Sequence, residues 1–96
     1  MTKQELVQKQ RNRILGLAHQ HGATSISVFG SVAKGRDGAD SDVDFLVEME
    51  PGRSLLDLGG LQADLEGLLR CKVDVVTPNG LRARLRSRVL QEAIAV

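Results

Sequence analysis

The sequence predicts an α/β domain in which a small mixed β-sheet is packed with helices. Three observations carry this. Three short runs of β-forming residues each stop at glycine or proline, longer segments around them place apolar residues at helical spacing, and no stretch repeats another. Ninety-six residues suffice for one such unit, so residues 1–96 are read as a single domain.

The elements follow in order. Across residues 3–21, Leu6, Val7, Ile14, Leu17 and Ala18 fall largely on one helical stripe. Gly22 supplies the stop, because glycine takes the left-handed conformation after a helix without steric cost. His19 and His21 lie in the last turn, where a cation favours the helix dipole. Two residues apart they point in different directions, so they read as surface or capping residues and not as metal ligands. Residues 24–29, Thr-Ser-Ile-Ser-Val-Phe, alternate and form a strand that ends at Gly30. A helical turn is expected over 31–34 and a loop over 35–41, by its glycines and polar residues. Residues 43–49 make a second strand, bounded by Pro51-Gly52.

Ser54 with Asp57 three residues on forms a capping box, opening a helix to about residue 70 with Leu58, Leu61, Leu65 and Leu68 as its buried stripe. Gly59-Gly60 weakens that helix by roughly 1 kcal/mol per glycine relative to alanine, so close packing is expected there. Residues 72–77 are a third strand, stopped by Pro78-Asn79-Gly80, and a final helix spans about 81 to 93. On that helix Leu81, Leu85, Val89 and Ala93 form a row flanked by Arg82 and Arg86 on one side and Arg84 and Arg88 on the other. The row reads as an amphipathic face packed on the sheet, with a partner-facing or RNA-facing role as the alternative.

Composition narrows the function classes. Phe29 and Phe45 are the only aromatic residues, so the core is aliphatic and stacking on a nucleobase has little to work with. A net charge of +1 shows no excess that would mark a direct nucleic-acid binder, and any phosphate chemistry must be local. The single cysteine, Cys71, has no internal disulfide partner and reads as a small buried thiol in a reducing compartment. No run is long and apolar enough to span a bilayer, and the N-terminus lacks the order of a signal peptide, so a cytoplasmic location is expected.

The chemistry concentrates in Gly30-Ser31, then Asp42-Val43-Asp44 ten residues on, with an isolated carboxylate at Asp74. Side chains alternate along a strand, so Asp42 and Asp44 share one face while Val43, Phe45 and Val47 take the apolar one. Two carboxylates held side by side repel unless a proton or a hard cation intervenes. Asp74, between Val73 and Val75, turns to the same side as the other two if the third strand pairs beside the second. Three such carboxylates suit two magnesium ions about 3.5–4 Å apart. Gly30 lets a backbone approach phosphate oxygens, the following helix start and the Ser31 hydroxyl can hold an anion, and Lys34 and Arg36 can neutralise its charge. Ser41 can cap or orient the loop before the first aspartate. Singly, a Gly-Ser pair is more often an ordinary turn and Asp-x-Asp a polar strand edge. An acidic residue inside the valine-rich third strand is harder to account for without solvent or a ligand.

Gly30-Ser31-x10-Asp42-x-Asp44, in the extended form Gly-Ser-Val-Ala-Lys-Gly followed by Ser-Asp-Val-Asp-Phe-Leu-Val, resembles the signature of the minimal nucleotidyltransferases of the DNA polymerase β-like superfamily. Lys72-Val-Asp-Val-Val-Thr-Pro78 is similar to the segment that bears that family's third carboxylate. The resemblance implies the minimal polymerase β-like fold and a magnesium-dependent enzyme with ATP as substrate. By it, Asp42 and Asp44 bind both metals, Asp74 completes the nucleophile-side site, and Gly30 and Ser31 hold the triphosphate. Lys34 stands where many relatives carry arginine, which keeps the charge and loses the bidentate contact.

The resemblance further implies an antitoxin of a HEPN/MNT pair, which adds AMP to a tyrosine of a helical HEPN toxin within a hetero-oligomer. The chain contains no tyrosine, so a tyrosyl acceptor has to come from another molecule. Two other readings remain: an antitoxin that neutralises its toxin by binding alone, and a regulator acting in complex with it.

Overall fold

In the computed structural model, which describes residues 2–36 and 42–96, the N-terminal helical pattern is realised as two helices, not one. Helix α1 (Lys3–Lys9) opens on a capping box: the Thr2 hydroxyl accepts from the Glu5 N–H, and the Glu5 carboxylate accepts from the Thr2 N–H. The chain turns at Gln10, with ψ near 13°, and restarts as α2 (Arg11–Gln20). The reason is tertiary. The break lets α1 pack on the short helix after the first strand, while α2 lies on the first strand and the central helix. Gly22 ends the pattern as expected, with φ at +87°.

Strand β1 (Ala23–Phe29) is followed directly by helix α3 (Gly30–Ala33), one residue earlier than the sequence suggests. Strand β2 (Val43–Met49) has the expected bounds. Helix α4 (Leu55–Leu69) starts at Ser54, whose capping box with Asp57 is present in both directions. Its buried stripe is Leu61, Leu65 and Leu69, with Leu58 and Leu68 only partly covered. Strand β3 (Val73–Val76) leads into a 3-10 turn at Pro78–Gly80, and helix α5 (Ala83–Glu92) begins two residues later than expected. A strand that the sequence reading does not include, β4 (Ile94–Ala95), follows it. Two residues are too few for any alternation to register.

Among the described residues, four strands form one mixed sheet in the order β3-β2-β1-β4. β1 pairs antiparallel with both β2 and β4, whereas β2 pairs parallel with β3 through the α4 crossover. Val43, Phe45 and Val47 are fully buried on one sheet face, together with Ile14, Leu61, Leu65 and Val73. This face carries α2 and α4. The other face holds Asp44 and, two residues along the same strand, the buried Leu46.

β3 lies at a sheet edge, and its outward N–H groups are not left bare. Val73 N–H donates to Glu66 Oε2 and Val75 N–H to Gln62 Oε1, both at 3.2 Å. The crossover helix therefore pins the strand it introduces. Along the same helix, His21 Nε2 lies 2.6 Å from Asp64 Oδ2, and Gly60 packs beneath the His21 ring. His21 is thus a capping and helix-joining residue. Gly60 supplies the close packing expected of the glycine pair, whereas Gly59 faces open space. Cys71 is half-buried, and burial pushes its thiol pKa up.

Candidate active site

The sheet register assembles the acidic residues. Asp44 stands opposite Phe29 of β1 on one side and opposite Asp74 of β3 on the other. Phe29 is the last residue before the Gly30 turn, so the turn and both carboxylates meet at one end of the sheet. Gly30 has φ of +77°, and a Cβ placed on it would lie 2.6 Å from Asp44 Oδ2. Only glycine combines that backbone conformation with room for the carboxylate.

The electrostatics of the pair are unusual for surface aspartates. The Asp44 pKa is raised from its ordinary 3.8 to about 6, first by burial, then by the charges of Asp74 and Asp42 and by a hydrogen bond with Asp74. Lys72 opposes the shift, and its ammonium lies 3.8 Å from Asp42 Oδ2. Asp42 is thereby drawn toward a lysine while the Asp44 side chain hydrogen-bonds with that of Asp74. Among the described residues, no group of three or more His, Cys, Asp or Glu side chains is gathered to hold a metal ion as it stands. The chemistry of the donor set nevertheless fits a hard cation. It consists of oxygen ligands alone, crowded enough that one of them keeps a proton almost to neutrality.

On the other side of Gly30, Ser31 is half-buried within α3, and Lys34 caps that helix at its C-terminal end. Lys34 is engaged within the chain. Its Nζ lies 3.2 Å from Glu92 Oε1 at the end of α5. Arg36 is exposed, with its backbone N–H donating to the Ser31 carbonyl at 2.8 Å. Ser41 lies outside the described residues. The structure therefore brings Gly30, Asp44 and Asp74 together directly, places Asp42 beside Lys72, and ties Lys34 to Glu92.

Sequence reasoning missed four contributors: Lys72, Glu66 and Gln62 around the acidic strands, and Glu92 at the lysine. Spacing along a helix carried no signal for them, because each acts on a different element from its own.

A parallel Asp-bearing strand pair facing a Gly-Ser turn at one end of a mixed sheet defines a nucleotidyl-transfer class of domain, and comparison with known proteins agrees. The sequence profile of the nucleotidyltransferase domain matches residues 9–96, so the chain belongs to the nucleotidyltransferase family, as one of its minimal members. A protein of Methanocaldococcus jannaschii, provisionally named a protein adenylyltransferase, is 41% identical over 90% of this chain and 92% of its own length. The protein adenylyltransferase MntA of Thermococcus cleftensis is 40% identical over 83% of this chain and 81% of its own. Among solved structures, one provisionally described as a minimal nucleotidyltransferase superposes with a TM-score of 0.90 at 48% identity, covering 100% of this chain and 97% of that one. A toxin–antitoxin structure solved with AMP-PNP shares the fold, with a TM-score of 0.76 at 23% identity over 88% of this chain and 69% of that one.

Proposed function

We propose that this nucleotidyltransferase is a magnesium-dependent protein adenylyltransferase, moving AMP from ATP to a hydroxyl, expected to be a tyrosine, on a partner toxin of the helical HEPN type. The observation that carries the reading is the Asp44–Asp74 pair, a crowded carboxylate site beside a glycine turn. The two relatives named protein adenylyltransferases, alike over most of both chains, support the acceptor class.

Asp42, Asp44 and Asp74 would hold the two magnesium ions, which when bound supply Lewis-acid stabilisation of the acceptor oxygen and of the triphosphate. Gly30 keeps the site open by leaving the space beside Asp44 unfilled, and Ser31 offers a hydroxyl to the phosphates. In the transfer, the acceptor oxygen forms a bond to the α-phosphorus, the α–β bridging bond breaks, and pyrophosphate leaves. The acceptor proton passes to solvent. Silencing of the toxin in the cytoplasm follows from covalent modification of its residue.

The test is transfer of label from α-labelled ATP to the co-expressed partner, with Asp42→Asn and Asp44→Asn as variants. Both are expected to lose transfer while keeping the fold. Undiminished labelling in either would remove that residue from the site. Intact-mass analysis of the co-purified partner is expected to show additions of the AMP mass. Suppressed toxicity with an unmodified partner would favour an antitoxin, or a regulator, that acts by binding alone.

A further inference from the structure

Helix α5 delivers a carboxylate to the one lysine that the phosphate-side reading requires. The β1–β4 ladder pairs Val28 with Ile94, so Glu92, two residues before Ile94, sits level with the β1–α3 junction. There its Oε1 accepts from Lys34 Nζ at 3.2 Å and from Arg88 Nε at 3.5 Å. Each side chain of the lysine pair keeps about a third of its surface exposed, and α5 lies against α3 at this point. The hydrogen bond from Lys34, together with the charges of Lys34 and Arg88, holds the Glu92 carboxyl below the usual carboxylate range, so it is ionised at neutral pH.

We propose that Glu92 is a positioning residue that competes internally with the triphosphate for Lys34. This rests on the reading of Lys34 as a phosphate contact. With no nucleotide bound, the Glu92 carboxylate occupies the ammonium where a phosphate oxygen would otherwise lie. An arriving triphosphate must take Lys34 from it, and Glu92 recovers the lysine as pyrophosphate leaves. Arg88, on the same oxygen, keeps the displaced carboxylate paired during the exchange. The device lowers affinity for polyphosphate in return for faster release of the product, with no change in the acidic site across the turn.

The test uses magnesium and inorganic tripolyphosphate as the probe, titrated calorimetrically into the whole chain and into Glu92→Gln, Lys34→Ala and the double variant. Competition by a partly exposed ion pair is worth at most about a fivefold change in affinity. Glu92→Gln is expected to bind about three- to fivefold tighter, Lys34→Ala to bind more weakly, and the double variant to show no gain over Lys34→Ala alone. In label transfer, Glu92→Gln should lower KM for ATP without raising kcat, and Glu92→Asp should restore part of the wild-type KM. Weaker binding in Lys34→Ala with no gain in Glu92→Gln overturns the role of Glu92 and leaves the lysine contact standing. Unchanged binding in Lys34→Ala overturns both. A gain in Glu92→Gln that persists without Lys34 also overturns the proposal, since the carboxylate would then be acting by its charge alone. Thermal melts of each variant establish that it is folded before binding is compared.

Discussion

Asp44 keeps a proton that the unfolded chain releases two pH units lower. Because its folded pKa lies above its unfolded value, the folded state binds the proton more tightly, and stability falls as pH rises from about 4 to about 6. Above that window the loss is complete. Each pKa unit corresponds to about 1.4 kcal/mol, but Asp44 is only half-buried and solvent screens its neighbours, so a loss of about 1–2 kcal/mol is expected. Urea unfolding of the metal-free chain at pH 4 and pH 7 measures it, and Asp44→Asn should flatten the difference. An equal slope in that variant would place the titration elsewhere. Gly30 gives a second expectation. The atom its Cβ would meet is the tip of a side chain, which can swing away, so Gly30→Ala should cost about 1–2 kcal/mol, chiefly from its positive φ. The side chain that swings is Asp44, so transfer activity should fall far more than stability does. A variant with wild-type turnover would show that Asp44 need not hold its present position.

At the scale of elements, the adjacent glycines of α4 separate propensity from packing. Both are helical, yet Gly59 has nothing within reach of an added Cβ while Gly60 would meet the His21 ring at 3.0 and 3.1 Å. Gly59→Ala should therefore gain about 0.5–1 kcal/mol from helix propensity alone. Gly60→Ala should gain less, or lose, because it pushes His21 off Asp64. Thermal melts of the two variants check this, and an equal gain in both would deny the His21 contact any energetic weight. The same helix shows what was legible in the sequence. Ser54, Asp57 and the leucine spacing are local signals, and α4 is found where they place it. The Gln10 break and β4 were not legible, because neither arises locally. α1 turns in order to reach α3, and β4 exists only because β1 offers an open edge. Asp74 lay between the two cases: its odd place among valines marked it, while its partner Asp44 depended on a register that only the fold sets.

Over the whole molecule, a ligand that binds only the folded state stabilises it by mass action. Magnesium with ATP at a hundred times the dissociation constant should add about 2.7 kcal/mol, a rise in Tm of roughly 10 °C or more for a domain of this size. Asp74→Asn should raise Tm in chelator, by relieving repulsion, and shrink the ligand-induced rise. A variant that melts lower in chelator and keeps the full rise would make Asp74 a structural residue. The parallel pairing of β2 with β3 also orders events in time. β1 and β2 zip together as neighbours, but Asp44 meets Asp74 only when α4 has folded back and laid down the edge strand. Repulsion between them should therefore oppose that closing step. It acts equally as a spring on the first opening step, so in metal-free protein at neutral pH the amides of Val73–Val76 should exchange with solvent ahead of those in β1 and β2. Opening of the β1–β2–β3 part of the sheet should therefore begin at the acidic site, and a cation bound there would oppose it.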